Sequence, residues 1–190
     1  MVRWEPDGRG RLEEAALELF GECGFEQTTV AEIAARAGLT ERTFYRHFAD
    51  KREVLFAGGE PLQELLVGEV LAAPASAPPL DALAAALRAA SVILQERPDH
   101  VRRRQRVISA NPELRERELI KLAAFGDALA AALRSRGVAE PAAALSAEMA
   151  MSVFRLGVER WSADPGRADL ETVVLGALDD LRGLAAGAAR

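Results

Sequence analysis

The polar side chains that could do chemistry in this sequence are concentrated between Arg36 and Arg52. This segment contains five lysines and arginines and two acids, so its local charge is +3 in a chain whose net charge is −5. Basic and hydroxyl side chains on a short helix can donate hydrogen bonds to phosphates and base edges of duplex DNA. Such a surface needs a locally basic face, and it does not need a basic chain.

Two short helices separated by a tight turn must position these side chains. Thr29 is expected to begin one helix, with Glu32 completing a capping box, and Gly38 ends it. Thr40 then caps a second helix that ends near His47. This pattern predicts a helix-turn-helix over residues 28–47.

The second of these helices has distinct inner and outer faces. Phe44 and Phe48 lie four residues apart and should point inward. The side chains left to reach outward are Thr40, Glu41, Arg42, Thr43, Tyr45, Arg46 and His47. A helix of this kind fits the major groove of DNA.

The segment from Thr28 to Leu55, TTVAEIAARAGLTERTFYRHFADKREVL, resembles the DNA-binding signature of the TetR family. The resemblance covers about residues 9–57 and implies a homodimeric repressor that binds palindromic double-stranded operator DNA. It also implies the residues that contact DNA, which are Thr28, Thr29, Thr40, Arg42, Thr43, Tyr45, Arg46, His47 and Lys51.

The resemblance assigns these residues different roles. Arg42 and Thr43 would read bases, whereas Tyr45 and His47 would bind phosphates. Thr28 and Thr29 would touch phosphate at the second helix, and Lys51 would clamp another phosphate together with the amide end of the fourth helix. Glu41 departs from the residues common in the family, which leaves the base preference open.

Composition predicts an all-α protein, because Ala and Leu dominate and aromatic residues are only 5%. We expect a three-helix DNA-binding head at residues 1–57 and a helical bundle for ligand binding and dimerisation at 58–190. The first helix should span Gly10–Cys23, and a fourth should run from Asp50 towards residue 72 with a kink at Pro61. The remaining helices are expected at about 80–96, 98–109, 112–135, 141–163 and 168–186.

The second part of the chain resembles the family mainly in architecture. Residues 106–122 are similar to the C-terminal domain of mycofactocin-regulator-like members, which implies a small apolar or acyl-CoA-like effector. The candidate ligand-binding residues are Arg102, Arg103, Arg106, Asn111, Phe125, Met151 and Phe154. The alternatives are a solvated arginine face and ordinary core packing. We expect the fourth helix to link such a pocket to the head.

Two helices are the best candidates for a dimer interface. In the helix at 141–163, small residues would allow close approach, namely Ala144, Ala147, Ala150 and Gly157. In the final helix, an apolar face would pack against them, formed by Val173, Val174, Ala177, Leu178 and Leu181. Two copies of this pair would bury both faces.

Other classes of protein are disfavoured. The sequence has no paired acid and base, nucleophile motif, phosphate loop or metal-ligand spacing, so we expect neither an enzyme nor a bound cofactor. The first residues have no apolar signal core and no segment is long enough to cross a membrane, so we expect a cytoplasmic protein. Cys23 falls on the apolar stripe of the first helix and should be packed. A DNA-binding protein without a ligand, or an activator, remains the alternative function.

Overall fold

The chain folds into helices joined by short loops. The computed structural model describes residues 8–164, 166 and 169–187, and none of these forms a strand. The residues 1–7 on which the signal-segment expectation depends, and Pro165 and residue 168 near the last predicted helix, lie outside the described residues. The helices are α1 (Gly8–Cys23), α2 (Val30–Arg36), α3 (Glu41–His47), a 3-10 helix η1 (Glu53–Phe56), α4 (Gly59–Ala72), α5 (Pro79–Gln95), α6 (Pro98–Ala110), α7 (Pro112–Ser135), α8 (Ala142–Ala163) and α9 (Leu170–Ala185).

The all-α prediction is confirmed, and the fourth predicted helix is the element that differs most. Asp50 accepts hydrogen bonds from the backbone N–H of Arg52 and Glu53, at 2.8 and 3.2 Å, but the turn that follows is the 3-10 helix η1. The α-helix proper begins only at Gly59. Pro61 therefore lies in the first turn of α4, where no backbone N–H is needed, and the predicted kink is wrong.

The first compact unit contains the described residues up to Gly59 together with Asp99–Glu118. Its core joins α1, α2, α3 and η1 to residues of α6 and α7. Fully buried side chains in it include Leu12, Ile33, Phe44, Ile108 and Leu114. The helix-turn-helix thus shares its core with a segment far along the chain, which the predicted boundary at residue 57 does not include.

Cys23 is exposed, so its predicted burial is wrong. Leu19 and Phe20, one turn earlier in α1, are buried. The chain turns away directly after Cys23 at Gly24, which has a φ of +89°. The last residue of α1 therefore projects past the core that covers the rest of the stripe.

The second compact unit contains Glu60–Pro98 and the described residues from Leu119 onward. Its helices α5, α8 and α9 pack against one another, and Trp161 is its largest fully buried side chain. No helix in the described part of the chain is long and apolar enough to cross a membrane.

Gly157 lets α8 and α9 approach closely within one chain. A Cβ atom added to Gly157 would lie 2.6 Å from Cγ2 and 3.1 Å from Cα of Val174. Several residues predicted to form the dimer interface are therefore buried inside the chain instead, namely Ala147, Ala150, Gly157, Val174 and Leu178. Small residues favour close helix packing equally well within and between chains, so the sequence pattern alone did not distinguish the two.

Replacing Gly157 with Ala should lower the free energy of unfolding by about 1–3 kcal/mol, because the added methyl group would collide with Cγ2 of Val174 and crowd its Cα. Gly68 in α4 is the matched control, since a Cβ there meets nothing within 4 Å. Gly68→Ala should raise stability by about 0.5–1 kcal/mol. Chemical denaturation of both variants measures the difference, and a Gly157→Ala variant as stable as Gly68→Ala would contradict the assigned packing.

Candidate DNA interface

The N-terminus of α2 has the predicted capping box. The Thr29 hydroxyl accepts from the backbone N–H of Glu32 at 3.2 Å, and the Glu32 carboxylate accepts from the backbone N–H and the hydroxyl of Thr29, each at 2.8 Å. These hydrogen bonds hold the pKa of Glu32 below its ordinary value. Thr28 differs from the expectation because it is buried, and its hydroxyl donates to the carbonyl of Gly24 at 2.8 Å. We therefore leave its side chain out of the interface.

The turn between α2 and α3 depends on Gly38. Its φ of +67° lies in the left-handed region that favours glycine. The backbone N–H of Gly38 donates to Ala35, and that of Leu39 donates to Ala34, at 3.0 and 2.8 Å. These bonds end α2 and direct the chain into α3.

Helix α3 packs against the core by one face and exposes the other. Phe44 is fully buried, and its ring lies 5.4 Å from that of Phe48. Tyr45 packs edge-on against Phe44 at 5.5 Å between ring centroids, yet 57% of it is exposed. Glu41, Arg42, Tyr45 and Arg46 are all exposed. Their spacing of i, i+1, i+4 and i+5 places them together on one face of the helix.

The hydroxyls at the start of α3 are already engaged. Thr40 accepts from the backbone N–H of Thr43 at 3.2 Å, and the two hydroxyl oxygens lie 3.0 Å apart. Thr40 is thus the predicted N-cap. The Thr43 side chain is half-buried, so it presents less surface than Arg42 beside it.

The basic segment is less free than its sequence indicates. Arg36 contacts Glu22 at 2.8 Å and Glu18 at 3.2 Å, and Arg52 contacts Asp50 at 3.0 Å. The amine of Lys51 donates to three backbone carbonyls. Arg42 and Arg46 have no acidic partner among the described residues, although Arg46 lies 3.4 Å from the imidazole of His47. These two guanidinium groups provide the free positive charge of α3.

The arginine run of α6 is part of the first unit. Arg103 donates to Glu14 of α1. Arg104 donates to the carbonyl of Leu55 at 2.6 Å and to Glu118 at 3.0 Å, and its guanidinium lies 5.2 Å from the ring of Phe56. Arg104 could not be identified from the sequence, because Leu55, Phe56 and Glu118 are all far from it along the chain.

A second contact of this kind joins α7 to η1. Arg117 donates to Glu53 through Nε at 2.9 Å and through Nη2 at 2.5 Å. Residues of α6 and α7 therefore hold η1, the turn that follows α3. Nothing in the local sequence pattern indicates this contact, because 64 residues separate its partners.

The predicted ligand residues fall in both compact units. Arg102 is half-buried, Arg106 is exposed, and the amide of Asn111 donates to the carbonyl of Val107 at 2.6 Å, where it caps the end of α6. Phe125, Met151 and Phe154 are buried in the second unit. Gln105 of α6 is also buried, and the sequence pattern did not single out this polar side chain.

Two short helices that are joined by a glycine turn, packed on the core by one face and basic on the exposed face, form the structure of a helix-turn-helix regulator. The family model for bacterial regulatory proteins of the tetR family matches residues 12–57, and that for the MftR C-terminal domain matches residues 77–186. The second match covers more than half of the chain, and the chain belongs to the TetR family. This confirms the resemblances of both parts of the sequence.

Relatives and solved structures agree with this assignment. The chain is 41% identical to the transcriptional regulator TcmR of Streptomyces glaucescens over 81 residues. The aligned segment covers 43% of this chain and 36% of TcmR. The chain is 29% identical to the putative mycofactocin biosynthesis regulator MftR of Mycobacterium tuberculosis, over 63% of the chain and 60% of that relative. The transcriptional repressor FadR of Thermus thermophilus, solved with lauroyl-CoA, has 29% identity and a TM-score of 0.59, with 96% of this chain and 95% of that one covered.

The contacts of Glu14 predict how stability depends on pH. Burial would raise its pKa, but the hydrogen bond and charge of Arg103, together with His100, outweigh this and leave the pKa of Glu14 below its ordinary value of 4.5. A carboxylate with a lowered folded-state pKa stabilises the fold above pH 4.5, and this contribution disappears as the pH falls through the lowered value.

Glu14→Gln should therefore lower the melting temperature by about 1–3 °C at pH 7, and the difference from the wild type should vanish in acid. Glu116→Gln is the control, because that carboxylate is exposed and has no ion pair with a described residue. Thermal melts between pH 3 and 7 give the comparison. A wild type and a Glu14→Gln variant that keep a constant difference at every pH would show that Glu14 does not join α1 to α6.

Proposed function

We propose that this chain is a DNA-binding transcriptional repressor whose helix α3 enters the major groove. The observation that carries this proposal is the exposed face of Glu41, Arg42, Tyr45 and Arg46, which the buried Phe44 supports from below. A rigidly packed helix whose outward face carries free guanidinium groups is suited to both base and phosphate contacts.

We assign the roles on this face from position and chemistry. Arg42 lies near the N-terminus of α3 and has no acidic partner in the described part of the chain, so it can donate two hydrogen bonds to O6 and N7 of a guanine. Tyr45, Arg46 and His47 would contact phosphates. Glu41 is exposed beside Arg42 and would accept a hydrogen bond from a cytosine amino group.

The proposal includes a homodimer on a palindromic operator, since one helix-turn-helix contacts too little DNA for tight specificity. With the inner faces of α8 and α9 buried within the chain, an outer face is the candidate interface. Leu145 is 59% exposed and Leu156 is 40% exposed, and with Ser152 they follow one another along α8 at helical spacing. Leu184 of α9 is 62% exposed.

The DNA contacts can be tested on a duplex that the wild-type protein selects from a random-sequence library. That duplex should contain an inverted repeat. Arg42→Met should cost about 1–3 kcal/mol and relax the preference at one base pair in each half-site. Arg46→Met should weaken binding to all sequences and reduce the slope of log affinity against log salt by about 0.9 per contact.

Arg115→Met is the matched control, because Arg115 is an exposed arginine of α7 outside the helix-turn-helix. It should bind the selected duplex as the wild type does. If Arg42→Met and Arg46→Met also bind with unchanged affinity at fixed salt, α3 is not the recognition helix. If the selected sequence has no repeat, the dimer proposal fails.

We further propose that a small apolar or acyl-CoA-like molecule releases the repressor from DNA. Support comes from the FadR relative solved with lauroyl-CoA and from the match to the MftR C-terminal domain. Phe125, Met151 and Phe154 are the proposed lining, because flexible and aromatic side chains adapt to apolar ligands. Arg103 is not proposed to bind the anionic group of a ligand, because its guanidinium already donates to the carboxylate of Glu14. A ligand-independent DNA-binding protein or an activator is the alternative.

Titration calorimetry with lauroyl-CoA, in the presence and absence of the selected duplex, tests the effector. We expect weaker binding of lauroyl-CoA when DNA is present, because linkage is reciprocal. A hundredfold loss of DNA affinity requires about 2.7 kcal/mol of coupling. Coenzyme A alone and laurate alone are the controls for the two parts of lauroyl-CoA. Equal lauroyl-CoA affinity in both conditions would exclude it as an effector, and no heat with any of the three would favour the alternative.

A further inference from the structure

The amine of Lys51 is surrounded by backbone carbonyls rather than directed at a ligand. Its Nζ lies 2.8 Å from the carbonyl oxygen of Phe25, 3.2 Å from that of Glu26 and 3.1 Å from that of Thr28. It also lies 4.4 Å from the centroid of the Phe25 ring. A lysine ammonium has three N–H donors. The three carbonyls therefore engage all of them.

These carbonyls belong to one short loop, residues 24–28, between α1 and α2. The loop starts at Gly24, and the hydroxyl of Thr28 donates back to the Gly24 carbonyl at 2.8 Å. Phe25 is buried, with its ring 5.1 Å from that of Phe20 in α1. The loop is thus fixed at one side by Phe25 and at the other by Lys51, which comes from beyond α3.

The residue after this loop is Thr29, the N-cap of α2. The position of the α2 N-terminus relative to α3 consequently depends on the bond from Lys51 to Thr28.

We propose that Lys51 is a positioning residue, which fixes the 24–28 loop and the N-terminus of α2 against α3 and does not itself bind phosphate. This inference rests on the proposed DNA-binding function, and it replaces the phosphate clamp that the family resemblance implied for this residue. Lys51 acts on DNA binding through the placement of α2.

The test compares Lys51→Met and Lys51→Arg with the wild type on the duplex selected from a random library. Positioning predicts that Lys51→Met loses about tenfold in affinity, since bonds to a charged group are lost, while its salt slope stays that of the wild type. Lys51→Arg should also lose affinity, because a planar guanidinium does not match three carbonyls that converge on one point. Arg46→Met is the matched control, whose salt slope should fall by about 0.9.

A second measurement does not depend on DNA. Amide hydrogen exchange of the free protein should accelerate in residues 24–32 in both Lys51 variants and remain unchanged there in Arg46→Met. The variants should be compared at a temperature where circular dichroism shows them folded. A Lys51→Met chain that fails to fold without DNA would also support the tether, because loss of a phosphate contact has no effect on the free protein.

The outcomes separate the two proposals. If the wild type binds no duplex, the proposed function fails, while faster exchange at 24–32 still establishes the tether. If Lys51→Met lowers the salt slope by about 0.9 with exchange unchanged, and Lys51→Arg binds as the wild type, Lys51 is a phosphate ligand and the positioning role is overturned. Unchanged exchange and unchanged affinity in both variants would overturn it as well.

Discussion

The burial of Phe44 is the interaction on which the DNA-binding head depends. Helix α3 has seven residues, too few for a helix that is stable alone in water. Phe44, fully buried and in contact with Phe48, fixes which face of α3 is covered. The opposite face, with Arg42, Tyr45 and Arg46, is then exposed as a consequence. The chemistry of the surface thus depends on an apolar contact beneath it.

Most charged groups around α3 pair with other groups of the head and are not free at its surface. Arg36 pairs with Glu22 and Glu18, Arg52 pairs with Asp50, and Lys51 is engaged by carbonyls. An exposed ion pair contributes little to stability, but it removes a free positive charge from the surface. Arg42 and Arg46 are the arginines of α3, and neither has an acidic partner among the described residues.

The arginines of α6 and α7 extend the head beyond its contiguous sequence. Arg104 contacts Leu55, Phe56 and Glu118, and Arg117 contacts Glu53. The turn after α3 is therefore held by residues that come 48 to 64 positions later in the chain.

The sequence by itself determined the helices of the head, their caps and the glycine turn, because these depend on residues at most four positions apart. Thr29, Gly38, Thr40 and Phe44 were each placed correctly for this reason. Only the tertiary structure decided which charges are free, that Thr28 and Gly157 are buried, and that Arg103 and Arg104 belong to the head. These properties depend on partners distant in sequence, and a helical pattern shows that a face is apolar or charged without showing what covers it.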